Sequence, residues 1–265
     1  MPQVGKITEL WRYPVSSLTG EQLDHGEVSA NGMVGDRRYA LVEVSTGTVA
    51  HPERDRQWQK CVFMKSRMTE NGEVQILVPN HDWRGVKDPQ LGLALTGFFG
   101  FEVELRPYER TQSEMPNAAL AKDRYDVSPL HLLTSASIGH LKSLHPAGDP
   151  NPRRFRPNIV VETAEDITGF VELGWVDQAV RLGGVEGTVI APTKRCGFTI
   201  IEQDGFPNDP EILRNIMRFG SRNMGVYCAP VCNGVLRVGD PVSVGVGRTL
   251  TRPLCTQGYE LPTRS

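Results

Sequence analysis

The segment Pro192-Thr193-Lys194-Arg195-Cys196-Gly197-Phe198-Thr199 sets a thiol among basic and hydroxyl residues at the end of a β-like run. Cationic neighbours stabilise a thiolate, which is both the reactive nucleophile and the form that binds a soft metal. Cys196 is therefore the candidate for catalysis and for metal ligation, flanked by Thr193, Lys194 and Arg195. A free cysteine is also among the most buried residue types and often only packs. Two other segments add weight. In Gly32-Met33-Val34-Gly35-Asp36-Arg37-Arg38 the glycines permit turns that other residues resist, and Arg37 and Arg38 either reach a bound anion or pair with Asp36. Arg153-Arg154-Phe155-Arg156 then runs a basic cluster into the buried-looking strand Ile159-Val160-Val161, a second place for an anion contact.

Other chemistries lack their residues. Cys228 and Cys232 form a lone C-x-x-x-C pair without the second Cys/His pair a zinc site needs. His131, His140 and His145 fit no standard ligand spacing on one helix and read as core or surface residues. Gly183-Gly184-Val185-Glu186-Gly187 lacks the strand-then-helix setting of a dinucleotide fingerprint, and there is no nucleophile elbow, P-loop or H-E-x-x-H.

These side chains must be positioned by a β-rich chain. Its 27 glycines and 19 prolines punctuate short Val/Ile/Leu segments along all 265 residues. Strands are expected over residues 6–15, 28–44, 74–78, 101–105, 129–134, 159–161, 188–191, 225–229 and 235–238. Helices are expected over 88–99, ended by Gly100, after Ser135 as a cap, and over 210–218, led by Pro210. Residues 1–107 read as an N-terminal β-rich region, 108–127 as a linker or surface loop, 128–248 as a second domain and 249–265 as an irregular tail. A formal net charge of −2 gives no basic field for nucleic acid. No apolar run approaches the roughly 18 residues needed to cross a membrane, and five scattered cysteines in a chain of this length point to a reducing cytoplasm.

Taken in order, Tyr13-Pro14-Val15-Ser16-Ser17, the Gly32 to Arg38 loop, Ser128-Pro129-Leu130, Arg156-Pro157-Asn158-Ile159-Val160, Arg195-Cys196, Gly225-Val226-Tyr227 and Val238-Gly239-Asp240-Pro241-Val242 resemble the signatures of the MOSC family. The family takes its name from the C-terminal domain of molybdenum cofactor sulfurase, and the resemblance is to its two-part form, similar to the mitochondrial amidoxime-reducing component. It implies a mainly β fold with a few short helices, a MOSC β-barrel joined to an N-terminal β-barrel-like region, and a pocket for the pyranopterin molybdenum cofactor. It also implies that Cys196 ligates molybdenum. The cofactor would be held by Arg37, Arg156 and Asn158, with hydroxyl contacts from Ser17 and Ser128, and with Arg38, Thr193, Lys194 and Arg195 close by. The implied reaction is reduction of N-hydroxylated small molecules, with electrons from a separate donor protein because no Cys-rich iron–sulfur segment follows. Relatives commonly carry lysine where this chain has Ser16; a lost phosphate contact there costs roughly 1.5–3 kcal/mol unless Arg38 or Arg153 replaces it. Ser16 keeps a second reading open, in which Cys196 carries a persulfide or attacks a small substrate without metal. A third is a pterin-binding protein without turnover.

Overall fold

The computed structural model describes residues 1–108, 119–122 and 129–245. The first half contributes strands β1 (Gln3–Arg12), β2 (Glu21–Leu23), β3 (His25–Ser29), β4 (Gly32–Met33) and β5 (Tyr39–Glu43). A 3-10 segment, Arg56–Phe63, precedes β6 (Lys65–Met68), β7 (Val74–Leu77), β8 (Trp83–Gly85), helix α1 (Pro89–Phe99) and β9 (Val103–Pro107). The second half contributes β10 (Leu130–Thr134), α2 (Ser135–Leu144), β11 (Ile159–Thr163), β12 (Ala179–Leu182) and β13 (Val185–Lys194). Helix α3 (Pro210–Phe219), β14 (Asn223–Pro230), β15 (Gly234–Arg237) and β16 (Pro241–Gly245) complete it.

Seven strands close on themselves in the order β11-β10-β14-β13-β12-β16-β1, because β1 pairs with β16 on one side and with β11 on the other. Closure leaves no open edge within the ring. Its interior is filled by Ile7, Leu10, Leu132, Val161, Val180 and Val242, among others. β10 is buried along its whole length. Its even residues face the barrel interior, while Leu133 packs outside with Leu141 of α2 and Ile212 and Ile216 of α3. β10 and β11 run parallel, so the chain crosses over between them through α2 and covers that outer face.

A second apolar cluster, with Leu41, Trp58, Ile76, Leu95 and Phe99, lies under α1, the β5–β9 pair and the β6–β7–β8 sheet. Residues expected to lie in the N-terminal region supply β1 to the barrel, and β3 pairs with β15, bringing Val28 opposite Gly234. The expected linker 108–127 is described only at Tyr108, which bridges to Ala121, and over 119–122; the rest of it and the tail 249–265 lie outside the described residues. The cap of α2 is Thr134, whose hydroxyl accepts from the Ser137 N–H, and not Ser135, whose hydroxyl instead accepts from the Thr163 N–H. Thr134 is the last extended residue, so the strand itself delivers the cap.

Candidate functional site

Tyr13, just beyond β1, is where the two halves are tied together. Its N–H donates to Asp36 Oδ1 at 2.7 Å, its carbonyl accepts from the Arg37 N–H at 2.8 Å, and the Arg37 guanidinium donates back to Asp36. The Gly-x-x-Gly-Asp-Arg loop reaches this position because Gly32 sits at φ 101° against Pro129, where a Cβ would stand 1.8 Å from the carbonyl oxygen. The Arg156 guanidinium lies 4.2 Å over the Tyr13 ring and 5.3 Å from the ring of Phe198, two residues after Cys196. Its Nη1 donates to the Leu18 carbonyl, and its own carbonyl accepts from Arg37 Nη2 at 3.3 Å. The loop after β1, the Arg37 loop, the segment before β11 and the Cys196 segment after β13 therefore meet.

Two properties mark this junction. Ser17, Arg37 and Arg156 all have left-handed backbone, at φ 71°, 47° and 54°. Non-glycine residues there cost on the order of 1–3 kcal/mol each and cluster where a ligand is clamped. Secondly, Tyr13 Oη, Arg156 Nη2 and Thr193 Oγ1 are buried with no hydrogen-bond partner among the described residues. A lost partner costs about 1–3 kcal/mol for each group. Burial pushes the Tyr13 phenol above its ordinary range, so it stays protonated. Burial, reinforced by the Arg37 charge, lowers Arg156 to about 10, leaving it cationic at neutral pH. The junction is positive, with donors left over, and suits an anionic polar ligand.

Behind it, Arg195 is buried and its guanidinium is spent on protein. It donates to the Met224 and Phe155 carbonyls at 2.8 and 3.0 Å and to His131 Nε2, and burial lowers it to about 10. His131 Nδ1 lies 3.2 Å from the Arg156 carbonyl. Below, the buried Glu172 carboxylate accepts from Thr134 Oγ1, Ser137 Oγ and the Gly225 N–H at 2.6 to 2.8 Å, and burial holds its pKa above the usual carboxylate range. Gly225 is required: at φ 82° a Cβ would stand 2.4 Å from His131 Nε2.

The other expected residues divide by what they touch. Cys196 is half-buried, a free thiol at the head of the 3-10 turn Gly197–Ile200, and its carbonyl accepts from Thr199 Oγ1 at 3.0 Å. Thr193 points inward and Lys194 outward into solvent. Asn158 is fully buried and bonds the His131 N–H and the Trp11 carbonyl, so its amide is a buckle between β10 and β1. Ser17 Oγ donates to Ala50 at 3.4 Å. Arg38 turns away to the Gly72 carbonyl at 3.3 Å, and Arg153 donates to the Asp204 carbonyl beside Phe206. The Ser16 hydroxyl accepts from Tyr108 Oη at 3.2 Å. Arg154 is buried and spent on four carbonyls. Ser128 lies outside the described residues. Cys228 is a free thiol in the barrel wall, pushed up to about 12 by burial, and no cluster of three metal-ligating side chains is found among the described residues. His131, which the spacing consigned to core or surface, is buried and belongs to this junction; no motif marks it. A cavity of about 350 Å³ lined by Thr48, His51, Glu53, Arg54 and Lys122 abuts the Cys196 turn, where the Glu53 carbonyl approaches Gly197. No described helix is long and apolar enough to cross a membrane.

A family model described as the MOSC N-terminal beta barrel domain matches residues 4–95, and one described as the MOSC domain matches residues 121–243. Mitochondrial amidoxime reducing component 2 of Bos taurus is 25% identical over 290 residues, covering 91% of this chain and 84% of its own length. The protein of the same name from Rattus norvegicus is 25% identical over 293 residues with the same coverage. Molybdenum cofactor sulfurase of Drosophila melanogaster is 33% identical over 98 residues, which are 36% of this chain and 12% of that protein.

Proposed function

Because this chain belongs to the MOSC family, carrying both its N-terminal beta barrel domain and the MOSC domain, we propose that it binds the molybdenum cofactor at the Tyr13–Arg156 junction and reduces N-hydroxylated small molecules. The amidoxime-reducing names of its relatives suggest the reaction, and a separate protein would supply two electrons. The observation that carries the reading is the set of unpartnered buried groups, Tyr13 Oη, Arg156 Nη2 and Thr193 Oγ1, on segments that converge beside a half-buried thiol.

These residues fit the cofactor's chemistry. Arg37 and Arg156 offer charge to a phosphate, while Tyr13 and Thr193 offer hydroxyls to polar pterin edges. Cys196 offers a soft thiolate to the metal. When bound, the cofactor supplies the two-electron redox step. Arg195, Asn158 and Glu172 hold the cradle rather than touch the ligand, since their polar atoms are engaged with protein. Substrate would approach through the cavity beside Gly197.

Ser16 supports a second reading. Its hydroxyl is engaged by Tyr108 and brings no cation, which weakens phosphate binding and leaves room for a metal-free role of Cys196 as a sulfur carrier or nucleophile. Molybdenum and pterin analysis of protein from cells able to make the cofactor decides between them. We expect about one molybdenum per chain in the wild type, its loss in Cys196→Ser, and reduction of an amidoxime by the loaded protein with a reductase partner. Wild-type protein without metal or pterin overturns the cofactor reading, and mass spectrometry of Cys196 for a persulfide then tests the second.

A further inference from the structure

We propose that His131 is a positioning residue: a neutral imidazole with its proton on Nδ1 that sets the Cys196 segment against the Arg156 segment. The role in cofactor binding rests on the reading above, whereas the location of the proton does not.

Two hydrogen bonds decide where the proton lies. Arginine carries donors only, so the contact from Arg195 Nη2 makes His131 Nε2 the acceptor. Nδ1, 3.2 Å from the Arg156 carbonyl oxygen, must then carry the hydrogen and donate it. A second proton would set an N–H against a guanidinium N–H. The charged and titratable groups around the ring are Arg195, Arg37, Arg156 and Tyr227, with Glu172 reached only through the Gly225 N–H. Burial and the Arg195 charge hold the imidazole well below its ordinary pKa, in keeping with the neutral form.

The ring links the two sides of the junction. Arg195 precedes Cys196, and its backbone is fixed twice by Arg222, through the Arg195 N–H to the Arg222 carbonyl at 2.8 Å and from Arg222 Nε to the Arg195 carbonyl at 3.0 Å. A guanidinium held by His131 therefore constrains the peptide that carries the thiol. On the other side, the Arg156 carbonyl shares its acceptor capacity between His131 and Arg37 Nη2, which pins the left-handed residue whose guanidinium faces Tyr13. Neither arm covers the ligand. Their separation is what the imidazole sets.

The proton is located by long-range proton–nitrogen correlation on the full chain labelled with ¹⁵N-histidine, with the His131→Gln spectrum identifying the signal. The expected pattern is a protonated Nδ1 and bare Nε2, unchanged to about one pH unit below the ordinary histidine value. A proton on Nε2, or an imidazolium at neutral pH, overturns the proposal. The positioning role is read from the rate at which iodoacetamide alkylates Cys196 in cofactor-free protein and from molybdenum retained in loaded protein. His131→Gln can still accept from Arg195 and should stay within about twofold of wild type, whereas His131→Phe should shift the alkylation rate at least threefold and lower retention by about tenfold. Val180→Ala, a barrel-core change remote from the ring, controls for general destabilisation; a His131→Phe protein behaving like it overturns the role. If wild-type protein carries no molybdenum, the cofactor reading falls, and the proton position and the alkylation comparison still decide this one.

Discussion

Arg156 holds a buried charge that two aromatic rings and the Leu18 carbonyl favour but that burial and the neighbouring Arg37 guanidinium oppose, on left-handed backbone and with an unused Nη2. The cost of burial offsets those favourable contacts, so the net contribution of this side chain to folding is small. Arg156→Met should therefore change the urea-unfolding free energy of cofactor-free protein by less than about 1 kcal/mol while weakening retention of pterin and molybdenum by roughly 10–100-fold. His131 makes a different demand. Because burial and Arg195 hold its folded pKa far below the ordinary 6.5, the unfolded chain takes up the proton first as pH falls. The stability that His131 brings is complete above pH 6.5 and declines below it, by up to about 1.4 kcal/mol per pH unit, until the folded pKa is reached. Urea titrations over pH 7 to 5 should show this component in the wild type and not in His131→Gln.

Elements place these groups through a few backbone positions. β14 can pass beside His131 only with glycine at residue 225, so Gly225→Ala, which adds both a left-handed penalty and a clash, should cost about 3 kcal/mol by chemical denaturation. The local devices were legible. The apolar spacing over 88–99 with Gly100 closing the last turn spells α1, and Pro210 at its first position spells α3, while the caps Asp88 and Asp209 are seen only in the fold. The apolar run of β10 is a strand buried on both faces, and the Asp36–Arg37 pairing was one of two readings open from the residues alone. What resisted reading depends on distance along the chain. A bulge at Thr8 lets Ile7 and Leu10, three residues apart, both face inward, and it exists only against β11. The bond from Asn158 to the Trp11 carbonyl spans 147 residues. His131 meets Arg195 across 64 residues, and no spacing rule spans that interval.

For the whole molecule, β1 is the decisive strand. It supplies Ile7 and Leu10 to the barrel interior and pairs with both β11 and β16. A fragment of residues 121–245 would expose two strand edges where β1 sits. It should therefore lack a cooperative unfolding transition by circular dichroism, and a peptide of residues 1–13 added in trans should restore one. A cooperative transition in the fragment alone refutes this.

The placement of β1 also orders events in time. Among the strands of the ring β1 leaves the ribosome before all the others and its partner β16 after them, so the ring cannot shut until β16 has emerged. The junction of Tyr13 and Arg156 is fastened to that strand from both sides, through Asp36 and through Asn158. An occupant of the junction would therefore find it complete only once β16 has emerged, as a late passenger rather than as a template for folding.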